Sequence, residues 1–319
     1  MDMLAFKSHL EGRKLTEERV EKFLNIIGKY SLDFDLSPKK EDILAFSENL
    51  VKEGLNDFDS YFAMMSYGKF AGIDSLYITA LELIDGIEAM GNLYKKLGDE
   101  KGEELRDEIF KGLEIPPVGT PLFKLPVVTQ TVMERMESKL GKDRTIEMLS
   151  NCLRDLEDSW FMDGREKYKK AGSIDKFLKV KSDELITELT RIKDENDYFF
   201  TQPISDEVID WLKEDPRIGR GIREGNKILH TKIPFMAIEY LAESDEDKKR
   251  YYYCHCPWAR ESLVQDDVKV PGTFCNCSAG FHKKEWEVIL EQPLRAEVVE
   301  SVLDGDLICT IAIHLPENL

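Results

Sequence analysis

The amino-acid sequence predicts an α+β protein: a mostly helical N-terminal region followed by a C-terminal antiparallel sheet with helices. Apolar residues recur at helical spacing through the first 115 residues, and short aromatic and β-branched runs separated by turns fill the last third. The segment between them is rich in proline, which breaks helices. We therefore expect a helical domain at 1–115, a linker at 116–128, and an α+β domain at 129–319 with its sheet mainly in 217–319.

Helices are predicted in order along the first domain. The stretch 15–30 has apolar residues near helical spacing, and two glutamates in its first turn favour the positive end of the helix dipole. Further helices are predicted over 38–53, 74–97 and 99–113. Beyond the linker, helical patterns resume over 129–168 and 173–193, and one more short helix ends near Pro216.

The pattern changes after Arg217. The stretch "GRGIREGNKILHTKI" predicts two short strands about a turn. The spacing of its glycines is not that of a phosphate-binding loop. The stretch "LRAEVVESVLDGDLICTIAIHL" predicts the clearest hairpin, turning at Asp304-Gly305. Between them, "KRYYYCHC" and "GTFCNC" are predicted as strands because they are rich in aromatic residues, and "HKKEWEVILEQ" as a helix.

The charge and hydropathy of the chain favour some partners over others. The net charge of -18 repels phosphate backbones, so we expect no nucleic-acid partner. No uncharged apolar run approaches the roughly 18 residues of a membrane span, and the N-terminus does not have the apolar core of a signal peptide. We therefore expect no membrane partner and a cytoplasmic location. The acidic helical region is a candidate surface for a protein partner.

Four of the six cysteines form two Cys-x-Cys pairs, Cys254 with Cys256 and Cys275 with Cys277. If both pairs lie on strands, each pair shares a face, and four thiols converge as a tetrahedral zinc site requires. Three interpretations stay open for these four residues: zinc binding, a reactive thiol site, or burial as small apolar side chains. Burial is the preferred interpretation for the remaining two cysteines, Cys152 and Cys309.

Polar and aromatic residues surround the two pairs. Two histidines are candidate zinc ligands or acid–base groups, and five further residues are candidates for ligand binding. The histidines are His255 and His282, and the five residues are Trp258, Arg260, Glu261, Asn276 and Ser278. The guanidinium of Arg260 suits a carboxylate of a ligand, and a structural ion pair with Glu261 or Glu285 is the alternative.

Four stretches carry a resemblance to known proteins: "REGN", "CHCPWARES", "FCNCSAGF" and "EVVESVLDGDLICTIAIHLP". They resemble the C-terminal half of an uncharacterised prokaryotic family. The tail is similar to vinyl-four-reductase-like small-molecule-binding domains and to L-2-amino-thiazoline-4-carboxylate hydrolase-like proteins. The matching tail residues are Glu300, Ser301, Gly305, Asp306 and Cys309. The resemblance covers about 217–319 and implies a compact antiparallel sheet with helices that holds a small ligand near cysteines or a metal.

Two functions are compatible with these observations. The first is a small-molecule and zinc-binding site with hydrolysis as the candidate reaction, because an open zinc position lowers the pKa of bound water to near 7. The second is a structural zinc clamp in a regulatory or protein-interaction protein, in which four thiolates close the coordination sphere. The number of cysteine ligands distinguishes them. Whether the chain is an enzyme stays open at this stage.

Overall fold

The computed structural model describes residues 2–33 and 38–317. Its α-helices, in chain order, are α1 (Met3–Gly12), α2 (Glu17–Asp33), α3 (Lys40–Glu53), α4 (Phe58–Ala71), α5 (Asp74–Ile84), α6 (Glu88–Lys101), α7 (Glu103–Ile109), α8 (Pro126–Leu140), α9 (Lys142–Leu149), α10 (Met162–Ala171), α11 (Ile174–Asp194), α12 (Asp206–Glu214), α13 (Ala237–Ala242), α14 (Glu246–Tyr253) and α15 (Asn276–Leu290). The strands are β1 (Ile222–Glu224), β2 (Lys227–Thr231), β3 (Arg295–Glu300) and β4 (Thr310–His314). This architecture confirms the predicted α+β class. Within these residues, no helix is both long and apolar enough to cross a bilayer.

The chain divides into two compact units. Unit 1 comprises Met1–Ile87 and Glu114–Leu125, and unit 2 comprises Glu88–Leu113 and Pro126–Leu319. Residues 88–113, which the sequence grouped with the N-terminal helical domain, therefore belong with unit 2. The predicted helix over 74–97 is interrupted, because α5 ends at Ile84 and α6 begins at Glu88.

Unit 1 is built from short helices around an aromatic core. The helices α1 to α5 bury one cluster of apolar side chains, in which Phe6, Tyr61 and Tyr67 are almost fully excluded from solvent. The ring of Phe6 meets Tyr67 edge-on, with 5.0 Å between the ring centroids. Such edge-to-face pairs stabilise a core by about 0.5–1.5 kcal/mol beyond the burial of their area.

The proline-rich segment is fixed to unit 1 by buried hydrogen bonds. The Ser47 hydroxyl donates to the Gly119 carbonyl oxygen at 2.7 Å and also lies 2.7 Å from the Tyr61 hydroxyl. The Asn56 amide donates to the Val118 carbonyl oxygen at 2.8 Å. The predicted linker 116–128 is thus part of folded structure, and its last three residues form the start of α8.

The sheet of unit 2 has the strand order β1-β2-β4-β3, and every neighbouring pair is antiparallel. Both predicted hairpins are therefore confirmed. His230 lies opposite Ile311, and Ile228 lies opposite Ile313. Residues directly opposite in an antiparallel pair share a face, and Ile228, Ile311 and Ile313 pack in one buried cluster with Trp286 of α15. His230 consequently lies on the face that α15 covers.

The two strands predicted around the cysteines are wrong. The first five residues of "KRYYYCHC" form the end of α14, whose first turn is capped by the Asp245 carboxylate accepting from the Lys248 N–H, and the three residues that follow lie outside any strand. The ring of Tyr253 packs edge-on against Tyr240 at 5.2 Å, so packing in this helix overrides the strand preference of aromatic residues. The stretch "GTFCNC" forms a 3-10 turn, Gly272–Cys275, that leads directly into α15.

Candidate functional site

The four predicted site cysteines lie at the ends of two helices. Cys254 directly follows α14, and Cys256 lies two residues further along the chain. Cys275 ends the 3-10 turn before α15, and Cys277 is the second residue of α15. Since neither pair lies on a strand, the argument from a shared strand face does not apply to them.

The two pairs nevertheless come into the same region of unit 2. The Cys256 thiol is near enough to Cys254, Cys275 and Cys277 for their charges to interact. Cys275 is similarly near to Cys254 and Cys309. Cys309, which the sequence analysis interpreted as an ordinary buried side chain, is therefore a neighbour of the candidate site.

The thiols are not arranged as a metal centre. Among the residues that the structure describes, no group of three or more His, Cys, Asp or Glu side chains could hold a metal ion. Thiols are soft donors that suit zinc, so the donor chemistry fits zinc, and the sulfurs would have to move closer together to bind it. Zinc binding by Cys254, Cys256, Cys275 and Cys277 stays a prediction.

A lysine to which the sequence analysis assigned no role lies among the thiols. The Lys232 N–H donates to the Cys309 carbonyl oxygen at 3.0 Å, which extends the ladder between β2 and β4 by one residue. Its ammonium group donates to the Ser278 hydroxyl at 3.2 Å. Burial acts to lower the pKa of Lys232, whereas interaction with the surrounding cysteines, Cys309 and Cys254 first, acts to raise it, and the net shift is upward. Lys232 is therefore a cation at neutral pH.

Three histidines lie within charge-interaction range of Lys232. Burial, followed by repulsion from nearby cations, lowers the pKa of His230 and of His255 to about 3. Burial and the neighbouring His230 also lower the pKa of His282 well below its ordinary value, and the two rings lie 4.4 Å apart between centroids. All three imidazoles are neutral at pH 7.

The hydrogen bond of His255 assigns its tautomer. Its Nε2 lies 2.6 Å from the Ile233 carbonyl oxygen. Because a carbonyl oxygen only accepts, Nε2 carries the proton, and Nδ1 is the acceptor nitrogen of this ring.

Several of these side chains lie deep within unit 2 and still keep accessible surface. The surrounding protein strongly desolvates their ionisable groups. Each of these residues nevertheless keeps part of its surface accessible to solvent. Both conditions hold together where side chains face a concave internal space. From this we infer a concave internal space, which we call the Lys232 cavity and which His230, Lys232, His255, Cys256, Cys275, Cys277 and His282 would border.

The thiols in and beside the Lys232 cavity are protonated at neutral pH. Burial raises the pKa of Cys254 to about 11 and that of Cys277 to about 12. Burial also raises the pKa of Cys256 and of Cys275, while the positive charge on Lys232 acts in the opposite direction on all four thiols. Since the thiolate is the nucleophilic form, direct attack at neutral pH would require a group that removes the proton.

Two of the predicted ligand-binding residues have clearly different positions. Ser278 lies at the site, where its hydroxyl accepts the hydrogen bond from Lys232. Trp258 is only 1% exposed, and its carbonyl oxygen accepts from the Thr129 hydroxyl at 2.8 Å. The indole is thus part of the core of unit 2.

Arg260 is held by contacts within the fold. It is 3% exposed, and its guanidinium lies 4.2 Å from the centroid of the Phe235 ring. Arg260 Nε lies 3.5 Å from Glu261 Oε1, and the Tyr251 hydroxyl donates to that same carboxylate oxygen at 3.2 Å. These contacts favour a structural role for Arg260 and Glu261 over direct ligand binding.

A surface groove of about 690 Å³ borders the thiols in unit 2. Asn276, Thr273 and Ser301 are among its lining residues. The Asn276 amide donates to the Thr273 carbonyl oxygen at 2.9 Å, so this predicted ligand-binding side chain supports the turn before α15. The Ser301 hydroxyl lies 3.1 Å from the Cys275 sulfur, which brings this side of the groove against the thiols.

Lys232 and His230 are the functional candidates that sequence reasoning missed. Alternate residues of a strand share a face, so Ile228, His230 and Lys232 follow one line on the face that α15 covers. Polar residues that continue a buried apolar line were the available signal.

Comparisons with protein-family models, with curated proteins and with solved structures each found no match. The resemblance to vinyl-four-reductase-like and L-2-amino-thiazoline-4-carboxylate hydrolase-like domains therefore stays a prediction.

Proposed function

We propose that unit 2 is a small-molecule-binding domain whose ligand occupies the Lys232 cavity. One observation supports this above all: ionisable side chains lie deep in the fold and yet keep accessible surface. Burial of polar and charged groups is costly when they have no partners. Ligand sites combine a concave surface with a few convergent polar groups of perturbed pKa, and the convergent polar groups support the proposal.

The chemistry available in the Lys232 cavity at neutral pH also suits a small ligand. The ammonium of Lys232 is a positive hydrogen-bond donor, and Nδ1 of His255 is an acceptor. The thiols of Cys256 and Cys277 provide soft, polarisable surface. Structural networks of charged groups also perturb pKa values, but they usually pair opposite charges. The ammonium of Lys232 instead donates to a hydroxyl and lies among thiols.

Alkylation of the native protein tests whether the Lys232 cavity admits small molecules. At alkaline pH we expect iodoacetamide to label Cys256, Cys275 and Cys277, because these residues keep accessible surface. A maleimide attached to a polyethylene glycol chain is too large to enter and should not label them. Peptide mapping by mass spectrometry measures both reactions.

The more deeply buried Cys254 and Cys309 are internal controls, at 5% and 9% exposure. They should react with iodoacetamide much more slowly than the other three cysteines. If the three cavity cysteines react only after the protein is unfolded in urea, no accessible cavity exists and the proposal fails.

The predicted zinc site is a second candidate function. The mutual proximity of Cys254, Cys256 and Cys275 favours it, because thiolates are preferred zinc ligands. Binding would have to remove the thiol protons and draw the sulfurs together. Four thiolates would give a closed structural clamp, and three would leave a coordination position open.

Elemental analysis distinguishes this candidate. Protein purified without a chelating tag should contain about one zinc ion per chain if the four thiols bind the metal. The substitution Cys256→Ser should then lower the zinc content, while Cys152→Ser, outside the four predicted ligands, should leave it unchanged. Protein that retains no zinc after incubation with zinc and dialysis would contradict the candidate.

A further inference from the structure

We propose that the Lys232 cavity recognises its ligand through an oxyanion group, a carboxylate or a phosphate, held between the guanidinium of Arg220 and the ammonium of Lys232. The inference rests on the proposed function and names the chemical class of the ligand. Among the described residues, two cations near His230 have no acidic partner, and the backbone on either side of one of them has a conformation that favours glycine.

Arg220 and Lys232 have no acidic partners among the described residues. Arg220 Nε is buried without a hydrogen-bond partner in the described part of the chain, and the Lys232 ammonium donates to Ser278. The neighbouring cations are paired, since Lys181 bonds Glu285 and Arg217 Nη2 lies 2.6 Å from Asp215. In a chain with 62 acidic and 44 basic residues, acidic partners are abundant, so two enclosed cations that have none indicate an external anion.

The backbone on either side of Arg220 determines its position. Gly219 and Gly221 flank it with φ angles of 84° and 86°, in the left-handed region that favours glycine. A Cβ on Gly221 would lie 2.6 Å from the Leu229 carbonyl oxygen, so that position has no room for a side chain. The two glycines place Arg220 beside β2, within charge-interaction range of His230.

The ring of His230 lies near both cations. His230 lies within charge-interaction range of Arg220, Lys181 and Lys232, and its ring contacts His282. The ring of His230 bonds the backbone of Arg220, so the donors that remain for an anion are the Lys232 ammonium and the planar guanidinium fork of Arg220, which matches the two oxygens of a carboxylate or phosphate. An anion at this position would offset the repulsion among the cations.

Titration with two probe anions tests the inference. Inorganic phosphate and succinate are titrated separately into the whole protein at constant ionic strength, with chloride as the reference, and binding is measured by calorimetry. We expect at least one probe to bind, and Arg220→Gln to weaken that binding at least about tenfold, since it removes the fork. The matched control Arg217→Gln, four residues from Gly221 and paired with Asp215, should bind as the wild type does.

Thermal unfolding of the free proteins separates binding from a structural role. Arg220→Gln should melt no lower than the wild type, because it removes a cation that has no acidic partner. If Arg220→Gln does not fold, Arg220→Lys keeps the charge without the fork and should show intermediate affinity. Probe binding that is equal in wild type and Arg220→Gln, or binding of neither anion, overturns the inference.

The alkylation experiment keeps the two proposals distinguishable. If the cavity cysteines are labelled but neither anion binds, the oxyanion ligand is rejected and the small-molecule cavity is retained. Cysteines that resist labelling in the native protein would reject both.

Discussion

Lowering the pH from about 6.5 to about 5 is expected to remove several kcal/mol from the free energy of unfolding of unit 2. His230, His255 and His282 are neutral in the folded protein, because burial and nearby cations lower their pKa values. In the unfolded chain each takes up a proton near its ordinary pKa of 6.5. The unfolded state therefore binds more protons, and the stability present above pH 6.5 is lost as the pH falls towards about 3.

The magnitude follows from proton linkage. Each histidine contributes at most about 1.4 kcal/mol per pH unit, so three give up to about 4 kcal/mol per unit. Domains are typically stable by about 5–15 kcal/mol, so acid alone should bring unit 2 close to unfolding. Most carboxylates titrate below this range, so the histidines account for the effect above about pH 5.

Urea unfolding at a series of pH values measures this effect. All four tryptophans lie in unit 2, at positions 160, 211, 258 and 286, so their fluorescence reports this unit. The slope of the free energy of unfolding against pH should correspond to the uptake of nearly three protons on unfolding. The substitution His255→Gln should reduce this number by about one. A stability that stays constant between these pH values would mean that the histidines are not held neutral.

The substitution Gly119→Ala should destabilise unit 1 by about 3 kcal/mol or more. Gly119 has a φ of 87°, and a Cβ there would lie 1.6 Å from the Tyr61 hydroxyl oxygen and 2.7 Å from the Ser47 hydroxyl oxygen. Alanine would force Tyr61 out of its buried position and break the Ser47 hydrogen bonds. The cost combines backbone strain, a lost buried hydrogen bond and overpacking.

Gly54→Ala is the matched control in unit 1. Gly54 has a φ of 69° and no atom within 4 Å of its Cβ position, so only the backbone strain of about 1 kcal/mol applies. Thermal unfolding followed by circular dichroism measures both variants. Equal melting temperatures for the two would show that the proline-rich segment does not pack on Tyr61.

Much of the fold could be predicted from the sequence because its signals are local. Helical periodicity and the turn at Asp304-Gly305 depend on neighbouring residues, and the helices and the C-terminal hairpin follow from them. The strands predicted at the cysteines are wrong, because packing of Tyr253 against Tyr240 and the cap at Asp245 decided the structure there. Tertiary contacts of this kind are not visible in a short window of sequence.

The site could be predicted only in part. The proximity of the two cysteine pairs was anticipated, although by an argument about strands that does not hold. Arg220 could not be identified, because a cation without a partner among the described residues is recognisable only once its neighbours in space are known. Zinc, a cytoplasmic location and a protein partner for the acidic helical region stay predictions.

A crystal of the protein soaked in selenate shows whether an oxyanion binds in the Lys232 cavity. Selenate carries the charge and shape of a small oxyanion, and its selenium gives an anomalous signal that locates it without ambiguity. We expect an anomalous peak within hydrogen-bonding distance of both the Arg220 guanidinium and the Lys232 ammonium. A carboxylate of the chain itself between these two groups, or anomalous peaks only on the outer surface, would contradict this expectation.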